Sequence, residues 1–151
     1  MLKCPLKAKI LMWCTLDNKT PTSDRMKKRS IEGPGWCSLC KNNEETSNHL
    51  FINCPFSTQV WKHSQTKANQ RFLWSGPSLE EAWKAWLNTP QLGHIKSLPL
   101  IHIWGVWIAR NQSIFQDKAS SPEVTAIQGM DILSYFPQTK GAPSVTMIIA
   151  E

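Results

Sequence analysis

Three cysteines and a histidine fall in an order that can close around one metal ion: Cys37-x2-Cys40-x8-His49-x4-Cys54. Two cysteines two residues apart reach one tetrahedral ion from a tight turn, and the His-x4-Cys pair closes the shell from the next element. Three thiolates and a neutral imidazole satisfy Zn2+ at roughly 2.0–2.3 Å and leave no position for water, so the pattern predicts a structural rather than a catalytic site. Metal binding at such a site contributes on the order of 10 kcal/mol to folding. The ion and three thiolates together carry a net negative charge, so the site itself does not attract phosphate.

Other readings of these residues compete. Trp36-Cys37-Ser38-Leu39-Cys40 looks like a thioredoxin-type redox motif, but that chemistry needs a buried strand before it and a helix after it. Here Gly33-Pro34-Gly35 precedes the pair and the polar run Lys41–Glu45 follows it. His63 is an alternative fourth ligand, although it falls inside an expected helix. Cys4 and Cys14 read as core or surface thiols. Five cysteines is an odd number for a disulfide framework.

The 151-residue chain carries a net charge of +6. Residues 1–31 alone supply that charge, with eight Lys and Arg against Asp17 and Asp24. Glu32, Glu44 and Glu45 leave residues 32–54 slightly acidic. A basic segment beside a metal knuckle attracts polyanions, RNA or DNA, and its alternative is a solvated helix face. In the nucleic-acid reading Lys7, Lys9, Lys27, Lys28 and Arg29 contact phosphates. Trp36 either stacks on an unpaired base or covers the metal's sulfurs.

Pattern and punctuation predict the elements that position these groups. Residues 5–17 read as a helix with Leu6, Ile10, Trp13 and Cys14 on one face. Thr22 or Ser23 opens a second short helix to Arg29, and Gly33-Pro34-Gly35 breaks the chain before the knuckle. Pro55 opens a helix to about Lys67 that packs Phe56, Val60 and Trp61 inward. Ser78 and Glu81 form a capping box for a helix ended by Pro90. Leu100, Ile103, Trp104, Trp107, Ile108, Ile114 and Phe115 make one broad amphipathic stripe. Ser121-Pro122-Glu123 starts a last helix that stops near Pro137. His94 and His102 read as helix-surface residues.

Several of these pieces, in this order, resemble the zinc-binding domain that follows reverse transcriptase in plant LINE-type (non-LTR) retrotransposons. Pro5-Leu6-Lys7-Ala8-Lys9-Ile10-Leu11-Met12-Trp13 is similar to that family's Pro-x-Lys-x-Lys-x-Phe-x-Trp helix. Thr22 through Arg29 is similar to its next basic segment, with Met26 in place of leucine. Cys37-Ser38-Leu39-Cys40, Glu45-Thr46, His49-Leu50-Phe51, Cys54-Pro55-Phe56 and Val60-Trp61 follow its central pattern. Further on, Ile103-Trp104 through Arg110-Asn111 resembles the segment before the RNase H-like domain of these elements. Arg110-Asn111 itself reads as a polar pair at a helix end. Asp117, Glu123, Asp131 and Glu151 lie in no metal-binding pattern. The resemblance therefore implies a truncated module without the reverse transcriptase or RNase H catalytic domains.

No phosphate loop, nucleophile elbow or zinc-deaminase motif is present, so the expected class is not an enzyme. The expected fold is mainly α, a small zinc-stapled helical module with a short irregular or β knuckle followed by amphipathic helices. Its divisions are a zinc-binding module at 1–67, a linker at 68–77, a helical segment at 78–137 and a disordered tail at 138–151. The expected partner is nucleic acid, with a structural or protein-interaction role as the alternative. In that alternative the tryptophan-rich helices pack against neighbouring reverse transcriptase or RNase H-like domains. A decayed fragment without activity is a third reading. No apolar run reaches the ~20 residues that span a bilayer, and no secretion signal is evident. An intracellular place, nuclear or cytoplasmic, is expected.

Overall fold

The computed structural model describes residues 2–137. Among these are six α-helices: α1 (Leu6–Leu16), α2 (Ser23–Lys28), α3 (Pro55–Ala68), α4 (Leu79–Leu87), α5 (Leu98–Gln116) and α6 (Pro122–Ser134). A π-helical turn spans His49–Asn53 and a 3-10 turn Pro90–Ile95. The mainly-α expectation holds. The knuckle contains no strand; a loop and the π turn build it. The segment 138–151, expected as a disordered tail, lies outside the described residues.

Local chemistry sets the helix ends. Ser78 caps α4 by accepting from the backbone N–H of Glu81 at 3.2 Å, and Ser121 caps α6 by accepting from Val124 N–H at 3.3 Å. Pro55, Pro99 and Pro122 sit in first turns, where a missing N–H costs nothing. Asn69 and Asp117 end α3 and α5 in the left-handed region, where short polar side chains are tolerated.

The long α5 is the spine. It buries Leu98, Leu100, Ile101, Ile103, Val106 and Ala109 and packs against α1 and α6, while α3 lies on α6. α6 runs antiparallel to α5: Thr125 faces Gly105, and Gly129 faces His102. Both contacts are close because a glycine lets the partner in; a Cβ at Gly129 would stand 2.7 Å from His102 Nδ1. One core runs from Cys4 to Leu133 and draws on both the 1–67 and 78–137 segments.

The segment expected as a linker, 68–77, has no helix beyond Ala68, the last residue of α3, yet contributes to that core. Trp74 is buried and donates from Nε1 to the Phe51 carbonyl at 2.9 Å. Trp61 sits at the centre of an aromatic group, stacked on Trp74 at 5.5 Å and edge-on to Phe72, Trp86 and His102. Four readings are corrected. In α1 the inward face is Ala8, Met12 and Thr15, and the bulkier face of Leu6, Ile10 and Trp13 points outward, with Trp13 77% exposed. Ala8, fully buried, has only a methyl group, too small to hold α1 away from the core. His102 is buried rather than on the helix surface. Arg110 is likewise buried, and Phe115 leaves the apolar stripe with 75% of its surface exposed.

Candidate metal centre

The loop before α3 brings the four expected ligands together. Cys37 N–H donates to the Asn43 carbonyl at 2.6 Å, and Lys41 N–H to the Cys37 carbonyl at 2.7 Å. These bonds curl residues 37–43 into a turn, and Lys41 takes a positive φ of 60° to complete it. The second pair is spaced by the π turn. Cys54 N–H donates to the His49 carbonyl at 2.6 Å, so the two ligand residues are also the two ends of one i+5 hydrogen bond. Thr46 anchors the turn by accepting from His49 N–H at 3.0 Å through its hydroxyl. Cys54 then serves as the residue before α3, and its carbonyl accepts from Thr58 N–H at 2.9 Å.

The donor atoms of Cys37, Cys40, His49 and Cys54 all lie within 4.8 Å of one another. Cys37 Sγ and Cys54 Sγ are 3.9 Å apart, and Cys40 Sγ is 3.3 Å from His49 Nε2. A tetrahedral zinc with ordinary bond lengths has S–S edges of about 3.8 Å and S–N edges of about 3.6 Å. The donor set and its edges therefore fit Zn2+, with His49 as the nitrogen ligand; His63, Cys4 and Cys14 are outside the group. Cys37, His49 and Cys54 are buried and Cys40 is half-buried.

The sulfurs are prepared for a cation. A hydrogen bond from Cys54 holds the Cys37 thiol far below its ordinary value. Backbone N–H groups of Cys40 and Leu39 and the His49 ring help, against the opposing effect of burial. The same hydrogen bond, then burial and the neighbouring thiolates, push Cys54 far up. The pair thus splits in acidity, with Cys37 the readier thiolate and Cys54 the readier thiol, and a bound cation requires both as thiolates. Cys4 shows the contrast: burial pushes it up to about 11, against the pull of Lys9 and Ser97, so it stays a thiol.

A second layer ties the knuckle to the helices. Glu45 is fully buried. Its Oε1 accepts from Ser23 N–H at 2.9 Å and from Arg110 Nη2 at 2.8 Å, and its Oε2 from Arg110 Nε at 2.9 Å. Its carbonyl accepts from Asp24 N–H at 3.2 Å. One carboxylate therefore joins the knuckle, the start of α2 and the middle of the core through α5. Arg110 also lies 4.6 Å over the Trp107 ring. The Arg110-Asn111 pair is thus a core tie rather than a helix-end feature. Both partners stand in the family-like pieces of the sequence, yet nothing in their spacing shows that they meet.

The expected nucleic-acid residues divide into two groups. Lys27, Lys28 and Arg29 are exposed at the end of α2. Lys27 Nζ lies 3.7 Å from where a Cβ on Gly35 would stand, next to Trp36, which is 53% exposed. Lys7 is exposed on α1, and Lys9 lines a separate groove with Leu6, Ile10, Trp13, Leu16 and Trp83.

Residues 1–61 match the protein-family model described as zinc-binding in reverse transcriptase. No curated protein and no solved structure matches the chain. Among the described residues no helix is long and apolar enough to cross a membrane.

Proposed function

We propose, from the membership of residues 1–61 in the family of zinc-binding domains in reverse transcriptase, that the chain is a non-enzymatic module in which Zn2+ fixes the fold and basic helices hold nucleic acid. The setting that best fits the sequence is a plant LINE-type retrotransposon polyprotein. The closed Cys3His shell carries the reading: all four positions of a tetrahedral ion are filled by protein. Zinc here supplies rigidity and cross-links the loop to α3. The chain's own residues do the rest. Glu45 ties the knuckle to α2, whose last turn and C-cap expose Lys27, Lys28 and Arg29, with Lys27 Nζ near Gly35, the residue before Trp36. Three cysteine ligands outside any disulfide call for a reducing compartment, nucleus or cytoplasm.

The test is oligonucleotide binding by the zinc-loaded chain across a salt series. Log affinity should fall linearly with log salt. Replacing Lys27, Lys28 and Arg29 together by alanine should flatten the slope by about 2, at about 0.7 per lost contact on a single strand. A salt-independent interaction, or none at micromolar protein in low salt, would contradict the reading.

A second reading rests on the outward face of α1. Leu6, Ile10, Trp13 and Leu16, with Trp83, line an apolar groove of about 360 Å3. This favours a surface that packs against a neighbouring domain such as reverse transcriptase or an RNase H-like domain. The reading predicts self-association of the isolated chain that Trp13→Lys abolishes. A monomer with no apolar dye binding in ultracentrifugation and fluorescence would count against it.

A further inference from the structure

We infer that the cleft between α2 and α5 seats an unpaired nucleobase of a single-stranded nucleic acid. This rests on the nucleic-acid reading above and gives it a site that the sequence did not suggest. The cleft encloses about 460 Å3, within the range that holds small ligands. Met26, Ile31, Trp107, Ile114 and Phe115 supply its apolar lining, and Lys27 stands on its rim.

The aromatic groups have different duties. Trp107 already carries the Arg110 guanidinium at 4.6 Å and a tilted contact with Phe51. Phe115 makes the lip and leaves 75% of its surface open, so its ring face is the platform for stacking. Asn111 lines the same cleft; its Oδ1 accepts from Arg110 Nη1 at 3.0 Å, which leaves its amide N–H group for a base carbonyl. Charge complementarity selects a polyanion. α2 and its C-cap bear Arg25, Lys27, Lys28 and Arg29, and the Asp24 carboxylate beside them is engaged by the Thr22 hydroxyl. Glu32 on the rim opposes this only in part. Lys27 Nζ also lies 3.7 Å from where a Cβ on Gly35 would stand, so the cation at the cleft reaches the loop before Trp36.

The experiment uses the full zinc-loaded chain and a short fluorescein-labelled oligothymidylate. Phe115→Ala, an exposed position whose loss leaves the core intact, should weaken binding about five- to a hundredfold, the range of one lost stack. Its salt slope should stay that of the wild type, and Phe115→Tyr should restore affinity. An abasic version of the oligonucleotide should bind the wild type no better than oligothymidylate binds Phe115→Ala. A 5-iodouracil oligonucleotide should cross-link to Phe115 or Trp107 on irradiation. Wild-type binding that Phe115→Ala leaves unchanged, or cross-links confined to Trp36 or Trp13, overturns the base site while the broader reading stands; the cleft then belongs to a protein partner. No salt-dependent binding by the wild type overturns both.

Discussion

Replacing Arg110 by methionine should be among the most damaging single changes outside the metal ligands. The substitution keeps much of the side chain's volume and removes all three short contacts to Glu45, at 2.8, 2.9 and 3.2 Å. Glu45 has no solvent to turn to, being fully buried, and keeps only the Ser23 N–H and hydroxyl. Removing one partner of a buried ion pair costs about 3–5 kcal/mol, most of it the penalty of the stranded charge. Against a total of about 5–15 kcal/mol for an ordinary domain, that is a large fraction. The double variant Glu45→Leu with Arg110→Met should recover part of the loss, because no charge is stranded. It should remain about 1–3 kcal/mol below the wild type, because the buried Ser23 N–H has lost its acceptor. Lys84→Ala, which breaks the exposed pair with Glu80, serves as the control and should cost about 0.5 kcal/mol or less. Urea unfolding in excess zinc, followed by circular dichroism, measures all four proteins. If Arg110→Met lies within about 1 kcal/mol of the wild type at unchanged m-value, the buried tie does not hold the knuckle to α5 and the reasoning fails.

Two further changes probe the core. Gly129→Ala places a methyl 2.7 Å from His102 Nδ1 and 2.8 Å from its Cε1; the imidazole is buried and packed edge-on to Trp61, so thermal unfolding should reveal a loss of about 1–3 kcal/mol. An unchanged melting temperature would show that α5 and α6 can separate freely. The pH dependence follows from His102 itself. Burial lowers it from 6.5 to about 3, and Ser64, whose hydroxyl donates to the Val60 carbonyl, accepts from its Nε2–H at 2.5 Å. Between those values the unfolded chain binds a proton that the folded chain refuses, so stability rises with pH through the window and falls as acid is added. The loss from this group is roughly 3 kcal/mol by pH 4. A His102→Gln variant should show a shallower decline of melting temperature with acid than the wild type, and parallel curves would exclude this origin.

The ligand set was legible because it depends on local spacing: Cys-x2-Cys and His-x4-Cys each fit within one turn or loop. The helices with strong caps were legible for the same reason, as Ser78 with Glu81 and Ser121 with Pro122 show. What sequence pattern could not convey is which face a helix turns inward when both faces carry apolar residues. α1 buries Ala8 and Met12 and leaves Leu6, Ile10 and Trp13 outside, because close approach to α5 needs the small side chain. Nor could it show that residues 68–77, with no periodicity, carry Phe72 and Trp74 into the core around Trp61. Long-range polar partners were the least visible. Glu45 counted as part of an acidic run, Arg110 as a helix-end group and His102 as a surface residue; each is buried because a partner distant in sequence satisfies it or, for His102, because it remains neutral. The cleft between α2 and α5 depends on the same long-range packing.

The central claim is that Cys37, Cys40, His49 and Cys54 hold one zinc ion that the fold requires. Native mass spectrometry of the intact chain, with Cys40→Ser and His49→Ala beside it, tests that most directly. One zinc per wild-type chain, absent from both variants together with a loss of helical circular dichroism, is the predicted result. Zinc retained at full stoichiometry in His49→Ala, or a wild-type chain that keeps its helical signal after the metal is chelated, would contradict it.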